Sequence, residues 1–136
     1  MKHIAVLATL LLPFASQAGE LKLVFHGEGL AGQTLMVVLF NSPENFLSDK
    51  TVLALKAEAI GDAITFIIPD MKPGKYAISA FADKNNNGKL DTNLIGKPKE
   101  LYGFSNDARP LVGTPNFAEA SFDVGDDTIT QSIFMR

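Results

Sequence analysis

Asp83, Asn85, Asn87, Gly88 and Asp91 follow one another as Asp-Lys-Asn-Asn-Asn-Gly-Lys-Leu-Asp, the stretch of this chain best suited to hold a cation. Oxygen-bearing side chains recur at alternate positions, and a glycine stands where the chain must turn sharply. That order matches the first nine places of a calcium-binding loop, in which a hard cation collects oxygens at positions 1, 3, 5, 7 and 9 around a glycine at 6. The ligand set it predicts is Asp83, Asn85 and Asn87 through side chains, Lys89 through its carbonyl, and Asp91 as the closing carboxylate. Position 12 is Leu94, so the usual bidentate glutamate is missing, and Glu100 could fold back to complete the shell. So few charges point to weak structural Ca2+ binding, in the ~10⁻⁴–10⁻³ M class of extracellular modules. Asn, Asp and Gly are also the commonest turn formers, so the same run could be a metal-free turn cluster.

The elements that must position this loop read as strands. Leu21, Leu23 and Phe25 alternate with Lys22, Val24 and His26, and Leu35–Phe40 is an apolar run suited to a central strand. Asn41-Ser42-Pro43 ends that run, and Phe46 and Leu47 are expected to pin the following loop to the core. Residues 51–60 fit a strand by alternation and a helix by propensity; a strand is favoured, forming a hairpin through Gly61-Asp62 with the strand at 63–68. Lys75–Ala82 is a further strand, and the cation loop leaves from its end. Two last strands are expected around Phe117–Val124 and Thr128–Met135. About seven short strands separated by turns predict a single all-β domain, an antiparallel β-sandwich.

Between them, residues 83–115 form one long excursion without periodicity. Such loops are uncommon in compact domains and are usually functional or disordered. Its Leu90, Leu94, Ile95, Leu101, Tyr102, Phe104, Leu111 and Val112 argue for order, and a cation at its root could satisfy the backbone where the chain leaves the sheet.

The first 18 residues carry Lys2, an apolar run from Ile4 to Phe14, and Ala15-Ser16-Gln17-Ala18 before Gly19, the parts of a secretory signal peptide cut after Ala18. A periplasmic or secreted domain is expected at 19–136. The apolar run is too short to span a bilayer. The formal net charge is −3, and loss of the leader removes Lys2 and no acidic residue. A mildly acidic chain without a basic cluster is a poor partner for nucleic acid.

The run Pro73-Gly74-Lys75-Tyr76-Ala77-Ile78, then Phe81-Ala82-Asp83 and Asn85-x-Asn87-Gly88-Lys89-Leu90-Asp91-Thr92-Asn93, resembles a bacterial exported family, domain-of-unknown-function family 2141. The resemblance continues through Gly96-x-Pro98-x-Glu100-x-Tyr102-Gly103-Phe104-Ser105-Asn106 and Pro115-x-Phe117-x-x-Ala120. One departure is Ala82, where the family commonly carries histidine. The resemblance implies an immunoglobulin-like sandwich akin to transthyretin-type and carboxypeptidase-regulatory modules, and brings no reaction, substrate or partner.

Thiol chemistry is excluded by the absence of cysteine, and Gly103-Phe104-Ser105-Asn106-Asp107 lacks the second glycine of a nucleophile elbow. Two classes of function remain. The first is a non-catalytic exported module whose calcium-ordered loop presents Tyr102 and Phe104 to a glycan, peptide or envelope protein. Were those rings buried, they would be loop anchors instead. The second is a small glycan-directed hydrolase using the loop carboxylates Asp91, Glu100 and Asp107.

Overall fold

The computed structural model describes residues 18–83 and 100–136. The expected leader, except Ala18, and the expected ligands Asn85, Asn87, Lys89 and Asp91 lie outside the described residues.

Eight strands stand among the described residues: β1 (Gly19–His26), β2 (Thr34–Phe40), β3 (Leu53–Glu58), β4 (Ala63–Met71), β5 (Gly74–Asp83), β6 (Tyr102–Phe104), β7 (Phe122–Val124) and β8 (Thr128–Phe134). They form a three-stranded sheet in the order β4-β1-β8 and a five-stranded sheet in the order β3-β2-β5-β6, with β7 also on β5. The alternation seen in the sequence sorts the faces. Leu21, Leu23 and Phe25 of β1, Leu35, Val37 and Leu39 of β2, and Tyr76, Ile78, Ala80 and Ala82 of β5 all enter one core with Ile133.

The all-β expectation agrees with this architecture, and four details differ. The first sheet is mixed, because β1 pairs antiparallel with β4 but parallel with β8. Residues 53–58 are strand, not helix. They form no hairpin with β4, however, because β3 pairs with β2 while β4 pairs with β1. Gly61-Asp62 therefore carries the chain from one sheet to the other. The expected strand at Phe117–Val124 begins as a short helix, α1 (Phe117–Ala120), and only Phe122–Val124 is extended. A reciprocal cap explains the helix: Asn116 Oδ1 accepts from Glu119 N at 2.8 Å, and Glu119 Oε1 accepts from Asn116 N at 3.2 Å. Finally, Phe46 packs edge-on against Phe40 and Phe117, whereas Leu47 is exposed and anchors nothing.

The β8 side of the fold is sealed. Met135 N donates to His26 O at 2.7 Å, extending the β1–β8 ladder, and Tyr102 and Arg136 then exchange both backbone hydrogen bonds. The end of the chain thus ties the first sheet to β6 of the second. Close approach here depends on Gly103, where a Cβ would stand 2.7 Å from Ile133 Cγ2 and 3.0 Å from Phe134 O. Gly103→Ala is expected to cost about 1–3 kcal/mol through overpacking, read as a lowered denaturant midpoint.

Candidate functional site

β5 delivers Asp83 to the root of the excursion, and β6 collects the chain on its return. Ser79 faces Phe104, Ala80 faces Gly103 and Phe81 faces Tyr102 across these strands. Ala82 N continues the ladder to Leu101 O at 2.8 Å. One residue further in that register, Glu100 stands opposite Asp83. Side chains directly opposite on an antiparallel pair share a face, with Cβ atoms about 4.5–5.5 Å apart. Asp83 is 2 % exposed and Glu100 7 % exposed, so two acids are buried side by side at the exit and re-entry points of the loop. The structure therefore brings together Asp83 and Glu100 of the expected ligand set. No group of three or more metal-ligating side chains occurs among the described residues.

Beyond β6 the chain makes a tight helical turn at Ser105–Asp107, with Asn106 and Asp107 at φ 60° and 49°. Asn and Asp are the side-chain-bearing residues that best tolerate this left-handed region. The three side chains of the turn tie it to β5, to the end of α1 and to β8. The buried Ser105 Oγ accepts from Ile78 N of β5 at 2.9 Å and donates to Ala120 O at the end of α1. Asn106 Nδ2 donates to Ser121 O at 2.7 Å, and Asn106 Oδ1 accepts from Gln131 Nε2 at 3.0 Å. Asp107 Oδ1 accepts from Phe134 N at 2.8 Å. Asp107, weighed above as a catalytic carboxylate, thus caps the outer edge of β8, and the Ser105 hydroxyl joins β5 to α1.

Burial decides between the presented and the anchoring role of the aromatic residues. Phe104 is buried with Ala77, Phe117 and Ala120 on the outer face of the second sheet, so it is a loop anchor and not a presented ring. Tyr102 is half-buried, its ring covered by the Arg109 guanidinium at 4.4 Å, while Arg109 Nη2 donates to Tyr102 O at 2.8 Å. The groups this segment does present are Leu111 and Val112, both fully in solvent on a bend next to Gly113, whose φ is 74°. Pro110 and Pro115 bracket them in the sequence, a cue to a stiff tip that aromatic content obscured.

A comparison with protein-family models matches residues 29–132 to a family described as "Uncharacterized protein conserved in bacteria (DUF2141)". No curated protein matches the chain. The matched stretch contains β2 to β7, the whole excursion and most of β8.

Proposed function

The chain belongs to this bacterial family, and we propose that it is an exported, non-catalytic module with an immunoglobulin-like sandwich fold, in which Ca2+ clips the root of a partner-binding loop. The observation that carries the proposal is the pair of buried carboxylates, Asp83 and Glu100, facing each other where the loop leaves and rejoins the sheet. Asp91, Asn85, Asn87 and the Lys89 carbonyl would complete an all-oxygen shell of the kind calcium takes. Export is supported by the leader-like start and by β1, which begins at Gly19, the first residue after the expected cut. Among the described residues no helix is long and apolar enough to cross a membrane.

The clip's task is to hold the excursion in one shape while the Ser105–Asp107 turn fixes its far side. The apolar tip at Leu111 and Val112 suits a peptide or envelope protein better than a glycan, which would ask for presented aromatic rings and hydrogen-bonding groups. Retention of the purified protein on cell-envelope fractions tests this. It is expected to fall with chelator and with the Leu111→Ser, Val112→Ser double variant. Retention unchanged by both treatments would separate the loop from partner binding.

A further inference from the structure

The two sides of the fold treat their sheet edges differently. On one side Asp107 accepts from Phe134 N at the outer edge of β8, and β6 is paired to Arg136. On the other, among the described residues, no strand pairs with the outer edges of β3 and β4. An uncovered edge is a template for another strand, and natural proteins usually blunt it or use it.

The hydrogen-bond phase of β3 can be read from its neighbours. Thr34 faces Glu58 and Leu39 faces Leu53 across β2 and β3, and Ala59 N donates to Gln33 O at 2.9 Å in the same register. Odd-numbered residues of β3 therefore turn their backbone groups toward β2, and Ala54, Lys56 and Glu58 turn theirs to the open edge. The same alternation carried through β2 and β5 makes Ile78 N and Ala82 N point to the β6 side, where each finds its acceptor.

We infer that β3 is a self-complementary edge and that its partner is a second copy of this chain, paired antiparallel about a two-fold axis at Ala57. In that register Lys56 of each copy faces the second copy's Glu58, and these facing residues exchange backbone hydrogen bonds. Two opposite-charge cross-strand pairs form at once. The neighbouring register centred on Lys56 sets ammonium against ammonium and is disfavoured. On the core-facing side, half-buried Leu55 meets Ala59 of the other copy and extends the core across the axis. On the outer side, Ile60, which is 98 % exposed, comes opposite Ala54. β4 lacks any such selection: its outward Ala63, Thr65 and Ile67 are uncharged, and Pro69 and the left-handed Asp70 interrupt its end.

Sedimentation velocity over a concentration series tests the pairing. Wild type is expected to shift from monomer to dimer below roughly 1 mM, and Lys56→Glu and Glu58→Lys are each expected to weaken the dimer at least about tenfold. The one-to-one mixture of these two variants restores opposite charges at both pairs and is expected to recover dimer. A wild type that stays monomeric, variants that dimerise unchanged, or a mixture that fails to recover would each overturn the assignment.

Discussion

Ser105→Ala is expected to destabilise the fold by about 2–4 kcal/mol, because it removes one hydroxyl that serves two buried backbone groups. Ile78 N lies on β5 of the second sheet, Ala120 O ends α1, which packs on that sheet's outer face, and Ser105 itself is fully buried. No water can replace the lost partner without opening that packing. Each orphaned group carries a desolvation cost of about 1–3 kcal/mol, larger than the modest net gain of making the bond in the first place. Equilibrium unfolding in urea should show a lowered midpoint with an unchanged slope. A loss below about 0.5 kcal/mol, the range of ordinary surface substitutions, would show that the turn is not the joint described here.

The second large effect is the response to calcium. Binding to the folded state alone adds RT ln(1 + [L]/Kd), so a site in the ~10⁻⁴–10⁻³ M class gains about 1.4–2.7 kcal/mol at roughly 10 mM calcium. For a chain of this size that corresponds to a melting shift of several degrees, roughly 5–10 °C. Magnesium should give less, since it demands a stricter octahedron and gives up its water reluctantly. The sign follows from the burial of Asp83 and Glu100. Both belong to the expected ligand set and come together only in the folded state, so a cation they help to hold favours folding.

Much of this fold was legible in the sequence because its signals are local. Period-two alternation in Leu21–Phe25 and Tyr76–Ala82 names the core-facing residues directly. Less was legible where the outcome depends on distant partners. The helix propensity of Ala54, Leu55 and Lys56 yields to β2, which supplies a ladder that a helix could not join. The parallel pairing of β1 with β8 joins residues more than a hundred positions apart, beyond any local pattern. Helix α1 is a different case, because its Asn116…Glu119 cap was present in the sequence but the flanking Phe117, Phe122 and Val124 suggested extended chain.

The site divides in the same way. The Asp-x-Asn-x-Asn-Gly order is a local signal, whereas the placement of Glu100 depends on β6, a strand of three residues and too short to show periodicity. Ser105, Asn106 and Asp107 act on backbone groups 13 to 27 residues away, so their roles emerge only once the sheets have assembled. For Tyr102 and Phe104, residue type alone left exposure open, and packing against Arg109 and Phe117 decided it.

Whether Asp83 belongs to a calcium clip is tested most directly by thermal unfolding of wild type and Asp83→Asn side by side across a calcium titration. Asparagine keeps the shape and an acceptor oxygen while removing one ligand charge. Wild type is expected to gain several degrees by roughly 10 mM calcium, and Asp83→Asn to lose most of that gain. A wild type whose melting temperature does not move, or two proteins that rise equally, would contradict the clip.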